Sequence, residues 1–298
     1  MMNITFLGTS QAIPTAKRNH TSVLLQYNGE NILIDCGEGT QRQFRKAHLN
    51  PCKLTRILIT HWHGDHVLGL PGLFQTLLLN SFKGQLDIYG PRGITSYLKR
   101  MIELFVPYST LDLRIHEVTE GVFFQTKDFQ LEAESMKHSI PCNAYAFTLK
   151  SKLRLDKSKI KKLKIPNSPL LGELQRGENI TFNKKLIKSS QVTYKTTQKK
   201  IAFIFDTVLN NNCYKIAKDS DVLIAEAVYL KAEAELAKLH EHLTAEQVAI
   251  IAKKTKVNKL FLAHLSQRYD GSEYLILKEA KKKFKNTIIA EDLMKIEI

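Results

Sequence analysis

Three histidines and an aspartate lie within six consecutive positions of this chain, in the stretch LITHWHGDHVLGL at residues 58–70. They are His61, His63, Asp65 and His66, and they follow an apolar run typical of a buried strand. An unpaired polar group buried at such a position costs about a few kcal/mol. Any fold that contains this segment must therefore provide ligands or partners for the cluster.

The spacing of the cluster indicates a metal site. In an extended segment His61 and His63 point to the same side, so both imidazoles can bind one ion. Gly64 supplies a turn, after which Asp65 and His66 face a second point. This geometry suits two ions a few ångströms apart, as in sites that clamp an attacking and a leaving oxygen. Imidazole and carboxylate ligands favour zinc, with manganese or iron as competitors.

Further ligands are expected at the ends of other strands. His138 follows FQLEAESMK, Asp206 ends IAFIFD and His264 follows KLFLA. A single histidine of this kind is more often a hydrogen-bonded structural residue. Three such residues, each just past an apolar strand, are better explained as partners of the cluster.

Strand-like and helix-like runs recur in two halves, which predicts two packed sheets with helices on their outer faces, an αββα sandwich of the α/β class. We expect residues 1–298 to form a single domain. Residues 151–198 interrupt the pattern with a basic stretch broken by prolines and glycines, and we predict that they form a flexible inserted arm that stands off the core.

The charge of the chain indicates a polyanionic partner. There are 44 lysines and arginines against 29 acidic residues, a net charge of +15, and residues 150–200 contribute +12 of it. RNA, DNA and anionic lipid all fit this charge, and a lysine-rich solvated loop is the alternative. No signal peptide or membrane span is predicted, and Cys36, Cys52, Cys142 and Cys213 have no CxxC spacing, so we expect a cytoplasmic protein with reduced cysteines.

A resemblance to a known family narrows these alternatives. HWHGDH matches the H-x-H-x-D-H signature of the metallo-β-lactamase fold, which alone indicates only that superfamily. The words FLGTSQAIPTAKRN, DCGEGTQRQF, HGDHVLGLPGL, LLGELQRGE, FDT, HLTAEQVA and AHLSQRY accompany it. Together they resemble the short form of ribonuclease Z, a family that trims the 3′ end of precursor tRNA. The similarity extends from Phe6 to about Tyr269.

The resemblance implies a zinc-dependent endoribonuclease that removes the 3′ trailer and leaves a 3′-hydroxyl on the tRNA. It implies two Zn²⁺ per subunit, with Mn²⁺ or another divalent ion possible. One ion would be bound by His61, His63 and His138, and the other by Asp65, His66 and His264, with Asp206 bridging them.

The same resemblance implies catalytic roles for three residues. Asp65 would also accept or orient the proton of the attacking water. His242 would donate a proton to the departing ribose oxygen, and Glu226 would orient His242. Asp35, which follows another apolar strand, is interpreted either as support for the histidines or as a turn residue.

Substrate contacts and partners are also implied by the resemblance. The arm would grip precursor tRNA far from the cut, and in a homodimer one subunit would hold the RNA that the other cleaves. The loop PTAKRN resembles the family's P-x-K-x-R-N element, which is tied to rejection of CCA-bearing tRNA, but Ala16 stands where the lysine is expected and Lys17 follows one position later, which puts this discrimination in doubt. The candidate substrate-binding residues are Lys17, Arg18, Asn19, Ser266, Arg268, Tyr269, Lys159, Lys161, Lys162, Lys164 and Arg176.

Three other interpretations share the metal motif. A dinuclear phosphodiesterase of the same fold could act on other RNAs or on small phosphodiesters, but the basic arm argues against a purely small substrate. A non-catalytic RNA-binding relative is disfavoured because all seven expected ligand positions are intact. A lactamase or thioesterase would leave the arm, the charge and HLSQRY unexplained.

Overall fold

Two seven-stranded β-sheets form the centre of the structure, a computed structural model that describes residues 2–298. The strands of the described residues are, in chain order, β1 Met2–Gly8, β2 Ser22–Tyr27, β3 Glu30–Ile34, β4 Arg56–Leu58, β5 Gln85–Gly90, β6 Asp112–Glu117, β7 Gly121–Gln125, β8 Phe129–Met136, β9 Cys142–Leu149, β10 Leu153–Leu155, β11 Ile180–Phe182, β12 Lys185–Ile187, β13 Thr193–Lys195, β14 Lys199–Ile204, β15 Val222–Glu226, β16 Lys259–Ala263, β17 Thr287–Ile289 and β18 Lys295–Glu297. Strands β10 to β13 lie outside the two large sheets and form two short pairs.

The first sheet has the order β18-β1-β2-β3-β4-β5-β6, and the second has the order β17-β16-β15-β14-β9-β8-β7. Strands β3 to β6 are parallel to one another, as are β14 to β17, whereas the remaining pairs are antiparallel. The inner faces of the two sheets share one apolar cluster, in which Phe6 of the first sheet contacts Phe261 of the second with ring centroids 5.6 Å apart. The two sheets therefore bury a common core.

Helices cover the outer faces of both sheets. The α-helices of the described residues are α1 Thr40–Lys46, α2 Gly64–Val67, α3 Leu70–Leu79, α4 Ile94–Phe105, α5 Lys157–Lys162, α6 Pro169–Arg176, α7 Ser189–Val192, α8 Asn211–Ala217, α9 Ala234–Leu239, α10 Ala245–Lys254 and α11 Tyr274–Lys283. Side chains of α1, α3 and α4 pack on the first sheet, and those of α8, α10 and α11 pack on the second. The predicted αββα sandwich is confirmed.

Two outer helices were not anticipated from the sequence. Helix α4 buries Ile94, Leu98 and Met101, which recur at helical spacing after the turn at Gly93. Helix α8 is short and begins at the cap of Asn210, whose side chain accepts from the Asn212 amide. Both lie between strands that were recognised, so the error concerned connections and left the sheets unaffected.

The basic segment contains short helices and strands that the sequence did not predict. The chain leaves β9 at Leu149 and returns at Lys199, and β10 pairs with β13 at the base of the segment. Beyond this pairing, three helices and the β11–β12 hairpin surround a small apolar cluster of their own, formed by Ile165, Leu174, Ile180, Ile187 and Val192. We call residues 153–195 the basic arm. It is a small packed unit inserted between two strands of the second sheet.

None of the helices within residues 2–298 is both long enough and apolar enough to cross a membrane. None of the four cysteines is paired in a disulfide within residues 2–298.

Candidate metal centre and active site

Polar side chains collect at one edge of the sandwich because parallel strands present their carboxyl ends to the same side. Three of them, Asp35, Asp206 and His264, adopt positive φ angles of 56°, 35° and 51° just after β3, β14 and β16. Non-glycine residues rarely adopt this conformation, and where they do the strain is concentrated at functional sites. The sharp turns aim these side chains back across the edge, towards the segment that follows β4.

The first group of potential ligands consists of His61, His63, His138 and Asp206, whose ligand atoms all lie within 4.8 Å of one another. His61 Nε2 is 3.0 Å from His63 Nδ1, and His138 Nε2 is 3.2 Å from the same atom. Burial holds the pKa of His61 well below its usual range, assisted by the neighbouring His66. A neutral imidazole is the form that binds a metal ion.

The second group consists of Asp65, His66, Asp206 and His264 and is equally compact. Asp206 belongs to both groups: its Oδ1 is 2.8 Å from His264 Nε2, and its Oδ2 is 3.5 Å from His61 Nε2. Burial opposes ionisation of Asp206, but His264, His66 and His61 outweigh it and hold its pKa well below the usual range. Its carboxylate therefore lies within reach of the potential ligands of both groups.

The donor set fits divalent ions. Among residues 2–298, the buried atoms His66 Nε2, His264 Nε2 and Asp206 Oδ1 make no hydrogen bond of acceptable geometry, although the last two lie 2.8 Å apart. Such atoms are costly unless something satisfies them, and all three belong to the second group of potential ligands. Nitrogen and oxygen ligands without a thiolate suit zinc or manganese.

Further residues fix the orientation of the histidines. Asp35 Oδ2 lies 2.7 Å from His66 Nδ1, and the amide and hydroxyl of Thr60 both donate to the Asp35 carboxylate. The structure thus places Asp35 in contact with a potential ligand, where the sequence left two alternatives. Thr21 Oγ1 is 2.6 Å from His264 Nδ1. Each contact occupies Nδ1 of the histidine, His66 or His264, and leaves its Nε2 available to bind an ion.

Glu241, like Thr21, was missed by sequence reasoning. Its carbonyl oxygen lies 3.3 Å from His138 Nδ1, and its backbone has a positive φ of 58°. No motif marks either residue, because each acts through a contact with a histidine distant in the chain.

A histidine–carboxylate pair adjoins the two ligand groups. His242 Nδ1 is 2.9 Å from Glu226 Oε2, and Glu226 Oε1 accepts from the Thr207 amide at 2.8 Å. Burial opposes the charged imidazolium, but the Glu226 carboxylate outweighs it and raises the pKa of His242 to about 9. Since Nδ1 faces Glu226, the proton that could reach a substrate is at Nε2.

An open cavity of about 620 Å³ gives access to these groups. Seven of the sequence-predicted residues line it: His63, Asp65, His138, Asp206, His242, Ser266 and Arg268. The remaining wall is formed by Gln11, Ala12, Ile13, Ser139, Tyr229, Leu239, His240, Glu241 and Gln267. The Arg268 guanidinium lies over the Tyr229 ring and is 2.5 Å from Glu233, so its position at the rim is fixed.

Three of the predicted substrate contacts are bonded to other groups of the protein. Arg18 is buried and donates to Thr9 Oγ1 and to the Ala290 carbonyl, both at 2.7 Å. Asn19 donates from its side chain to the Glu38 carbonyl at 2.6 Å.

Tyr269 is the third such residue. It is 5% exposed, and its hydroxyl donates to Glu233 and accepts from the Leu230 amide. The predicted substrate contacts on the arm are exposed instead. They are Lys159, Lys161, Lys162, Lys164 and Arg176, of which Arg176 is paired with Glu178. Lys17 is exposed as well, but it borders a neighbouring groove outside the central cavity.

Comparison with known proteins identifies the family. The chain is 36% identical over 299 residues to the ribonuclease Z of Methanothermobacter thermautotrophicus, covering all of this chain and 97% of that protein. It is 34% identical to the ribonuclease Z of Bacillus velezensis, covering all of this chain and 99% of the relative. The chain belongs to the ribonuclease Z family. Membership, together with the fold and the ligand groups, makes it a metal-dependent hydrolytic endoribonuclease.

Solved structures agree with this family assignment. The human short form of tRNase Z is 27% identical, with a TM-score of 0.72 and coverage of 99% of both chains. The metallo-β-lactamase fold protein YhfI from Bacillus subtilis has a TM-score of 0.73 at 17% identity, which shows the shared fold alone. A family model described as Anti-Pycsar protein Apyc1 matches residues 2–160. That part of the chain contains the His61–His66 cluster and His138, but not Asp206, His242 or His264.

Proposed function

We propose that the protein is a zinc-dependent endoribonuclease that removes the 3′ trailer from precursor tRNA in the cytoplasm and leaves a 3′-hydroxyl on the tRNA. The observation that carries this proposal is the pair of ligand groups sharing Asp206, with His242 beside them in the same cavity. The full-length similarity to proteins named ribonuclease Z and the likeness to human tRNase Z support the choice of tRNA.

Two Zn²⁺ ions, or Mn²⁺ in their place, fit the residues of the site. His61, His63 and His138 would bind one ion, Asp65, His66 and His264 would bind the other, and Asp206 would bind both. Such ions supply charge stabilisation for the phosphoryl oxygens and activation of water near neutral pH.

The chain's own residues position the reactants and move the protons. Asp65 belongs to the second ligand group and lines the cavity, and it would orient the attacking water and accept its proton. His242 carries a proton at Nε2 that the departing ribose oxygen requires, and Glu226 keeps the imidazole charged and aligned. Arg268 at the rim offers a planar fork to a phosphate next to the scissile bond.

The role of Glu226 predicts a pH effect. A histidine that acts as a general acid must be protonated, so kcat falls as pH rises through its pKa. Replacing Glu226 with Gln removes the carboxylate that raises the pKa of His242, while burial still lowers it. We expect the alkaline limb of kcat to move to lower pH in Glu226→Gln, by about one unit or more. His242→Ala should lower kcat by about 10²–10⁴-fold and remove that limb.

The pH profile of cleavage between pH 5 and 10 measures this shift. Asp87→Asn is the matched control, because Asp87 lies 3.1 Å from His116 in a histidine–carboxylate pair outside the site. An unchanged alkaline limb in Glu226→Gln would remove His242 from the role of proton donor.

The arm supports the proposal that precursor tRNA is held by a homodimer. The arm joins the sheet at Leu149 and Lys199, whereas Asp206 lies beyond the opposite end of β14. At about 3.3 Å per residue, the seven steps along the chain from Lys199 to Asp206 span about 23 Å. This separation favours an arrangement in which the arm of one subunit holds the tRNA cleaved by its partner.

The direct test of the proposed function is to map the products of two end-labelled precursor tRNAs, one with an encoded CCA and one without. We expect metal-dependent cleavage directly after the discriminator base, with a 3′-hydroxyl on the tRNA. Chelated protein is the control for contaminating nuclease. Cleavage of both transcripts alike would contradict discrimination against CCA, and absence of cleavage would favour a phosphodiesterase that acts on other RNAs or small phosphodiesters.

A further inference from the structure

A groove of about 770 Å³ lies next to the catalytic cavity and is bordered by the same two segments. Residues 11–13 of the first segment line the cavity, and Lys17 and Arg18 line the groove. In the second segment, residues 266–268 line the cavity, and Glu273 and Tyr274 line the groove. Because both segments run from the cavity to the groove, an extended ligand that leaves the cavity can continue into the groove. We call it the edge groove, because it follows β17, the edge strand of the second sheet.

The lining of the edge groove combines an apolar wall with an aromatic rim. Leu277 of α11, Ile288 and Ile289 of β17, and Met294 form the apolar part. Tyr274, the first residue of α11, is 63% exposed at the rim. An exposed tyrosine beside an apolar wall is a platform on which a nucleobase can stack.

Two lysines at the edge groove are free to bind phosphate. Lys17 and Lys281 are exposed, and neither forms an ion pair within residues 2–298. By contrast, Glu273 is paired with Arg18 at 3.5 Å. The charge of the groove available to a ligand is therefore largely positive, although the exposed Glu291 also lines it.

Asp292, the remaining acid of the groove, is also engaged by the protein. It accepts hydrogen bonds from Thr9 Oγ1 and from the Asn19 amide, both at 2.7 Å. On the outer side, α11 and the turn after it add the exposed Lys278, Lys282 and Lys285. These cations strengthen the field that attracts a phosphate backbone.

We propose that the edge groove binds the single-stranded RNA on the 3′ side of the scissile bond, with a base on Tyr274 and phosphates on Lys17 and Lys281. This inference rests on the proposed function. On the 5′ side of the cut, the acceptor stem is a double helix whose bases are stacked on one another. The 3′ trailer is single-stranded, and an aromatic platform combined with unpaired cations is the recognition mode for such a strand.

The test compares two precursor tRNAs that differ only in trailer length, one nucleotide or about ten nucleotides. In Tyr274→Ala, we expect KM for the long-trailer substrate to rise by about fivefold or more, with KM for the short-trailer substrate unchanged. Tyr274→Phe retains the ring and should behave as the original protein. Lys281→Glu should also raise KM for the long substrate only, and Lys53→Glu, at the opposite end of β4 from His61, should change neither value.

Direct binding separates the fate of this inference from that of the proposed function. A labelled single-stranded oligonucleotide with the trailer sequence is titrated into the full-length protein and into Tyr274→Ala. Weaker binding by Tyr274→Ala supports the edge groove, even if the original protein cleaves neither precursor and the proposed function fails. Equal binding by both proteins, or equal KM changes for both trailer lengths, overturns the edge groove whether or not tRNA is cleaved.

Discussion

Replacing Asp206 with Asn is expected to lower kcat by about 10²–10⁴-fold, because a bound ion contributes about several kcal/mol of transition-state charge stabilisation and each 1.4 kcal/mol is about tenfold in rate. The substitution keeps the size of the side chain but removes the charge that faces both ligand groups. The metal content of the purified protein, measured by elemental mass spectrometry, should fall by at least one ion per chain. Cleavage of precursor tRNA gives the rate.

Asp221→Asn is the matched control for this substitution. Asp221 lies in the same sheet as Asp206 but before β15, at the end opposite the site, where it accepts from the Lys200 amide. We expect the control to retain both metal and activity. Full metal content in Asp206→Asn would contradict the bridging role of Asp206, even if the rate fell.

The ligand groups were predictable from the sequence because the signal is local. His61, His63 and His66 follow one strand at a spacing that the strand and the next turn convert directly into geometry. His138 and His264 were recognised because each follows an apolar run, and parallel strands bring their ends to one edge. The positions of these residues required only the correct order of secondary structure.

The supporting residues could not be predicted in the same way. Thr21 lies 243 positions from His264 in the chain, and nothing in its local sequence indicates that its hydroxyl contacts that imidazole. Arg18 and Tyr269 show the converse limit: a motif identifies the segment but not the direction of its side chains. In both cases the direction is set by burial against elements distant in the sequence.

The helices and strands of the basic arm were not predicted, for a different physical reason. Its elements are three to eight residues long, too short for hydrophobic periodicity to reveal them. They are stabilised by packing around Leu174 and Val192, contacts that only the folded unit creates. The many lysines of the segment made its few apolar core residues hard to recognise from the sequence.

Removing the basic arm is expected to abolish tRNA cleavage and spare the hydrolysis of a small phosphodiester. The pairing of Leu155 with Thr193 defines where to cut: residues 156–192 are replaced by a short glycine–serine turn that joins β10 to β13. Losing several lysine–phosphate contacts should reduce kcat/KM for precursor tRNA by about 10³-fold or more at moderate salt. The rate with bis-p-nitrophenyl phosphate should stay within about twofold, because the ligand groups lie at the other end of the sheet.

A gentler variant controls for loss of structure in the deletion. Lys159, Lys161 and Lys162 are exposed on one short helix, α5, and their joint replacement by Gln keeps the fold of the arm. The slope of log K for tRNA binding against the logarithm of salt concentration should become shallower by about 0.7–0.9 for each lysine–phosphate contact that is lost. Equal loss of both activities in the deletion variant would contradict the division between a catalytic edge and a remote RNA-binding arm.

Mixing two inactive variants decides which subunit's arm serves which site. The arm-deleted chain keeps its catalytic groups, and Asp206→Asn keeps its arm, so each homodimer lacks one requirement. If the arm acts across a dimer, a mixed dimer contains one complete combination, from the arm of one chain and the site of the other. Random mixing by co-expression should then restore about a quarter of the original activity on precursor tRNA. If each arm serves its own site, mixing restores nothing, since no chain then has both parts.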